Sequence, residues 1–414
     1  MDQHQLEHHF GIDNIPFGIA SSSRHPQPAA VTRFENKIVF LAELDDALHS
    51  TGIPREVFTQ PTLNEFASLG RAAHTAVRKA IQSAITSDAL PAAAVEDVAE
   101  TTAHLPVATG DFTDFSCSPH HNRRAGSALL GMSPNLPPAY LHQPLGYAGR
   151  TSSLAISGTA VVRQVGQYFE HGSEGLKGTR KQVTCAPARW MDYELEMGVV
   201  VGKPVPRGHF VTAAKALEHV FGYILLNDWS ARCIQQFEMI PIGPLNSKHA
   251  ATTLGAWIVT PDALEPFRTA LSTQKDHSQL APYLSDPAGT IPDVSLQVSR
   301  AKNAGQPFEV VCKTNVKVMD WTFEQILAHQ SISGPGLRSG DLMGIGTVSG
   351  PDESQYGCVM EEFAPGHTPN RDYVQDNEVV QLLGYCGAGV GFGDCTAQLL
   401  PARESSVWQS PEAK

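Results

Sequence analysis

The chain has 414 residues, of which 42% are hydrophobic and 17% charged, with 35 glycines, 29 prolines and a formal net charge of −12. That length exceeds what a single core usually supports, and the composition is that of a turn-rich globular protein of two domains. The acidic balance argues against a nucleic-acid or anionic-membrane partner, and the segment "NRRAG" is too short to form a basic patch.

The first residues, "MDQHQLEHHF", have neither a basic leader nor an apolar stretch, and no later run is long and apolar enough to span a bilayer, so a cytoplasmic location is expected. Order is expected to begin at "IPFGIASS". "KIVFLAELDDALHS" reads as a short strand followed by a helix, and "LNEFASLGRAAHTAVRKAIQSAI" has helical periodicity over several turns. Residues 1–112 are therefore expected to form a small mixed domain and 113–414 a larger one. The change comes near "HLPVATGDFTDFSCSPHHNRR", where aromatic, acidic and histidine residues crowd together without helical spacing. Short apolar runs punctuated by Gly and Pro follow: "SLAISGTAVV", "ELEMGVVVG", "GAWIVTP", "VSLQVSR", "DLMGIGTVSGP", "NEVVQLLGYC" and "CTAQLLP". These are strand signals. "TAAKALEHVFGYILL" and "TFEQILAHQSI" are predicted to be helices, and "TALSTQKDHSQLAPYLSDPAGTIPD" a surface loop. "GYCGAGVGFGDC" lacks the order of a dinucleotide-binding loop and reads as a turn between strands. The seven cysteines contain no C-x-x-C pair and fit reduced thiols; the end, "SSVWQSPEAK", carries no targeting tripeptide.

Three places hold candidate chemistry. In "ARWMDYELEMGVVVGKP" the run Val199–Val201, closed by Gly202 and Pro204, favours a strand, so Glu194 and Glu196 share one face. Two like charges side by side are explained either by a divalent cation or by a solvated edge strand. In "LLNDWSARCIQQFEMIPIGP", Asp228 is either a helix N-cap or a ligand, and Arg232 and Gln235, three apart on the expected helix, share a face. In "FTDFSCSPHHNRR", Asp114 precedes His121 by seven residues; a carboxylate near an imidazole suits a metal ligand beside a general base, with His120 as the competing histidine.

In chain order these segments, with "LGYAGRTSS", "SGT", "GP....K", "GDLMGIGTVSGP" and "GCVMEE", resemble the fumarylacetoacetase family from about residue 15 to about residue 400. The resemblance implies a mainly β (α+β) fold, with a small N-terminal SH3-like barrel joined to a larger mixed β-sandwich roll, and a homodimer as the active form. It implies a divalent metal, Mg²⁺ or Ca²⁺ with Mn²⁺ as an alternative, held by Asp114, Glu194, Glu196 and Asp228. His121 matches the base that activates water and Glu361 the acid that orients it. Arg232, Gln235 and Lys248 match donors around developing negative charge, and Tyr147 and Thr347 match further substrate contacts. The implied activity is hydrolysis of a C–C bond in a β-dicarbonyl, by default fumarylacetoacetate in tyrosine and phenylalanine catabolism. Three substrate-facing positions depart from the pattern: Ser116 and Met239 stand where tyrosines are usual, and Leu130 where an arginine is. Arg123 and Arg124 either compensate or are solvated loop residues; in the second case the substrate is a less acidic, polyketide-like β-dicarbonyl of specialised metabolism that is hydrolysed, decarboxylated or isomerised in the same site.

Overall fold

The structure is a computed structural model and describes residues 3–131, 135–170, 182–272, 280–387 and 389–404. In its first hundred residues, Phe17–Ser22, Ala29–Phe34, Lys37–Phe40, Val95–Asp97 and Thr101–His104 pair into one antiparallel sheet. The helix expected over "LNEFASLGRAAHTAVRKAIQSAI" is a short turn, Asn64–Ser68, and a long helix, Arg71–Thr86, separated by Gly70 with a φ of 83°. Val77, Ile81 and Ala84 repeat at the helical period and are buried.

The larger part is built on two sheets. One has seven strands in the spatial order Gly146–Ala148, Phe112–Phe115, Leu342–Gly344, Leu195–Val201, Val220–Asp228, Thr252–Leu254, Leu154–Ile156. The other has five: Glu309–Asn315, Ser295–Ala301, Val379–Gly387, Val390–Leu400 and Val161–Val162. "GYCGAGVGFGDC" runs from the end of the Val379–Gly387 strand into the Val390–Leu400 strand, which pair antiparallel, so most of it is strand and two residues join them. The fold is thus α+β.

The strands Leu195–Val201 and Val220–Asp228 are buried on both faces. Met197, Val199, Val201, Tyr223 and Leu225 belong to the core of the larger unit, whereas Val200, Ile224 and Leu226 join Phe17, Phe66 and Val77 in a core shared with the N-terminal sheet. Double burial removes the polar alternation by which a strand is recognised. This explains the one misplaced helix: in "TAAKALEHVFGYILL" only Ala213–Ala216 is α-helical, and the apolar remainder is the strand from Val220. "GAWIVTP" contributes isolated bridges at Ile258 and Val259 and no full strand. "TFEQILAHQSI" is helical from Phe323 to Ser331, with Thr322 as its cap. The expected loop after Arg268 contains the short paired strands Arg268–Ala270 and Thr290–Pro292, and its residues 273–279 lie outside those described. All seven cysteines are free thiols, and among the described residues no helix is long and apolar enough to cross a membrane.

Candidate metal centre and active site

Three strand ends bring four acidic residues to one buried spot. Asp114 lies on Phe112–Phe115, Glu196 on Leu195–Val201 with Glu194 just before it, and Asp228 closes Val220–Asp228. One oxygen from each lies within 4.8 Å of the others. The strand carrying Glu196 sits between two neighbours, so the solvated-edge explanation of the paired glutamates does not hold. Nor is Asp228 a helix cap: the helix Arg232–Ile242 is preceded by Ala231, and the Asp228 carboxylate accepts instead from Lys248 Nζ at 2.8 Å and Thr252 Oγ1 at 3.0 Å. Gly344, on the neighbouring strand, keeps the space open, since a Cβ there would lie 2.5 Å from Asp114 Oδ1 and 3.1 Å from Glu196 Oε2.

Two cations reach the cluster, fewer than its carboxylates. Lys248 bridges Glu194 and Asp228, and Arg232 bridges Glu194 at 2.8 Å and Asp192 at 2.9 Å. The Tyr147 hydroxyl lies 2.8 Å from Asp114 Oδ2 and 2.6 Å from Asp228 Oδ2, but its single proton serves one of them. Both Glu196 oxygens and Asp114 Oδ1 are buried with no hydrogen-bond partner among the described residues. Burial, reinforced by Asp228, raises the Asp114 carboxyl to about 7; burial and Asp114 raise that of Glu196 well above the usual range. For Glu194, burial is outweighed by Lys248 and Arg232, which bring it down to about 2. Buried anionic oxygens without donors are costly unless a cation meets them, and an all-oxygen donor set suits hard divalent ions such as Mg²⁺, Ca²⁺ or Mn²⁺. These residues therefore fit the metal that the sequence implies.

A second group stands beside it. His121, in the first turn of the Pro119–Leu130 helix and tied to its cap Ser118, places Nδ1 3.1 Å from Glu361 Oε1. Glu361 also accepts from Arg124 Nη1 at 2.7 Å and from Ser349 Oγ, and Cys358 Sγ lies 3.5 Å away. Burial pushes the Glu361 carboxyl up, but His121 and then Arg124 and Ser349 outweigh it and hold it near about 2. With Nδ1 engaged, Nε2 is the nitrogen His121 has left to offer the cavity it lines, whereas His120 is not among the lining residues.

That cavity, about 400 Å³, has Asp114, Glu194 and Glu196 at its floor, and Ser116, Leu130, Tyr147, Arg232, Gln235, Met239, Lys248 and Thr347 all line it. Arg232 and Gln235 share the expected helix face and bond at 2.9 Å; Arg232 Nη2 is buried with no partner among the described residues. Neither Arg123 nor Arg124 lines the cavity. Arg123 is exposed, and Arg124 is engaged by Glu361, the carbonyls of Gly350 and Pro351, and the Tyr356 ring 4.2 Å away. Neither arginine therefore stands at the cavity wall, where the compensation considered from sequence would act.

Sequence reasoning overlooked Asp192, which also accepts from the backbone N–H groups of Val359 and Met360 and so fastens the Glu361 segment to Arg232. The i, i+2, i+4 spacing of Asp192, Glu194 and Glu196 could have signalled it. Ser349 and the Arg124 clamp carried no such sign, because their partner is more than 200 residues away for Arg124 and is met only in the fold.

Residues 111–399 match the model of the fumarylacetoacetate hydrolase C-terminal domain and residues 13–106 that of the fumarylacetoacetase N-terminal domain. A fumarylacetoacetase of Aspergillus fumigatus is 37% identical over 95% of this chain and 96% of its own length. The fumarylacetoacetase of Homo sapiens is 35% identical over the same shares. A solved fumarylacetoacetate hydrolase of Exiguobacterium antarcticum, 17% identical, superposes with a TM-score of 0.54 over 94% of this chain and all of that one, a likeness of fold. With two domain models matched in order and relatives aligned almost end to end, the chain belongs to the fumarylacetoacetase family.

Proposed function

We propose that this chain is a divalent-metal-dependent hydrolase that cleaves a C–C bond of a β-diketone or acyl-β-keto acid. The observation that carries the reading is the set of donor-starved carboxylate oxygens on Glu196 and Asp114, at the floor of a cavity that His121 also faces. Fumarylacetoacetate, the compound for which the curated relatives are named, is the reference substrate and would give fumarate and acetoacetate. Tyrosine and phenylalanine catabolism in the cytoplasm is the setting that substrate implies.

Asp114, Glu194, Glu196 and Asp228 would hold Mg²⁺ or Ca²⁺. The bound ion would polarise the attacked carbonyl as a Lewis acid. His121 Nε2 takes a proton from water as the water oxygen bonds to the acyl carbonyl carbon. Glu361, fixed by Arg124 and Ser349, steadies the imidazolium through Nδ1. The C–C bond then breaks with its electron pair passing to the departing methylene carbon, which receives the proton from His121. The free Nη2 of Arg232, the amide of Gln235 and the ammonium of Lys248 supply donors where negative charge develops. Tyr147 and Thr347 complete the wall around the reacting carbons.

We further read the N-terminal antiparallel sheet as the family's SH3-like barrel, the larger part as its mixed β-sandwich roll, the division between them at residue 112, and the active form as a homodimer. Turnover of β-dicarbonyl acids by metal-reconstituted protein, with an EDTA-treated control and product identification, tests the activity. EDTA-sensitive release of a carboxylic acid and a ketone is expected. Loss of carbon dioxide, or a rearranged substrate of unchanged mass, would instead point to decarboxylation or isomerisation.

A further inference from the structure

We infer that the cavity is built for an uncharged, apolar acyl group on the side of the dicarbonyl away from the metal floor; the inference rests on the reaction class proposed above. The two ends of the cavity differ in kind. Arg232 and Lys248 are the cations among its described lining residues, and both sit at the floor in ion pairs with the carboxylates. Away from them the lining is mostly apolar, Ala125, Leu129, Leu130, Leu145, Met239 and Ile242, with Ser116, Asn122 and Asn135 as uncharged polar side chains.

That wall is a packed surface. Leu129 and Met360, with Cys358, form a small buried cluster of their own, against which Ala125, Leu130 and Met239 pack. The helices Pro119–Leu130 and Arg232–Ile242 that carry it are tied by Gln236 Nε2 to the Leu129 carbonyl at 3.2 Å. The segment after the second helix is fastened by Glu238, whose carboxylate accepts from the backbone N–H groups of Leu245, Asn246 and Ser247 and from the Ser247 hydroxyl. Ile242, 95% exposed, lies at the rim, where an incoming apolar chain would cover it.

An acyl carboxylate placed here would lose its water and meet no cation among the described lining residues, whereas each methylene set against the apolar side chains strengthens binding about 3- to 4-fold. The bonds made and broken are those of the proposed hydrolysis: water oxygen to acyl carbon, acyl carbon from methylene carbon, proton to methylene.

The test compares 3,5-dioxodecanoate, which carries a hexanoyl group on an acetoacetate head, with fumarylacetoacetate, which carries a second carboxylate there. With Mg²⁺-loaded protein, kcat/KM is expected to favour the hexanoyl compound at least about 30-fold. Leu130→Arg should narrow that ratio at least about tenfold by supplying a cation at the wall. In the Mg²⁺-loaded His121→Ala protein, direct binding by calorimetry should favour the hexanoyl compound at least about tenfold. Equal or tighter binding of fumarylacetoacetate in that protein, or its faster turnover by the unaltered one, overturns the inference. Preferential binding of the hexanoyl compound with no C–C cleavage of either would uphold the subsite and overturn the reaction class instead.

Discussion

Two groups of buried acid lie side by side in this molecule, and they are finished to different degrees. Glu361 is complete: His121, Arg124 and Ser349 all reach its oxygens, and its carboxyl is held near about 2. The floor cluster is not: among the described residues Glu196 has no donor at either oxygen, and its carboxyl, like that of Asp114, is raised by burial and by neighbouring carboxylates. A carboxylate saturated by protein donors serves to orient something within the chain. A cluster short of donors waits for a cation from outside.

If the floor is where the cation acts, Glu196→Gln carries the largest effect. Metal should no longer co-purify and kcat should fall at least about 10³-fold, as measured by metal analysis and steady-state rates. His121→Ala breaks the other half. It should lower kcat about 10²- to 10⁴-fold while leaving metal stoichiometry unchanged, a split that separates the two groups. If full rate remains, His121 is not the base.

Arg124→Gln probes how far Glu361 depends on its clamp. Glu361 faces His121 and Arg124 from one helix, Ser349 and Cys358 from its own side of the cavity, and His120 more remotely. Losing the guanidinium removes one of the groups that hold the Glu361 carboxyl down, so Glu361 takes up a proton at higher pH. The acid limb of the kcat/KM profile should therefore move to higher pH, with kcat lower by about tenfold. An unmoved limb would make Arg124 merely structural.

The smallest effect is thermal. Because the carboxyls of Asp114 and Glu196 are raised in the folded metal-free protein, that state binds protons more tightly than the unfolded chain. Their contribution to stability is present below the ordinary carboxylate range and is lost as pH rises through the folded value, about 7 for Asp114. A cation replaces those protons, so the gain in Tm on adding Mg²⁺ or Ca²⁺ should be greater near about pH 7.5 than near about pH 5.5. An equal gain at both would mean that the ion binds elsewhere.

Much of this candidate site was legible in the sequence because Asp114, Glu196 and Asp228 lie on strands and Glu194 stands just before one, where alternation fixes which side chains share a face. Glu194 and Glu196 declare themselves that way, and Asp114 and Asp228 by their order in the chain. What the sequence hid has two causes. Burial of a strand on both faces erased the alternation in "VFGYILLND", so the strand bearing Asp228 read as the tail of a helix. Contacts between distant segments left no local sign: Arg124 looked like a surface residue beside Arg123, and only the fold brings it to Glu361.

The most direct test is calorimetric titration of chelator-stripped protein with Mg²⁺ and Ca²⁺, run beside Glu196→Gln and Glu361→Gln. The account predicts one site per chain in the unaltered protein, retained in Glu361→Gln and lost in Glu196→Gln. Absence of binding to the unaltered protein, or binding that survives Glu196→Gln and fails in Glu361→Gln, would contradict it.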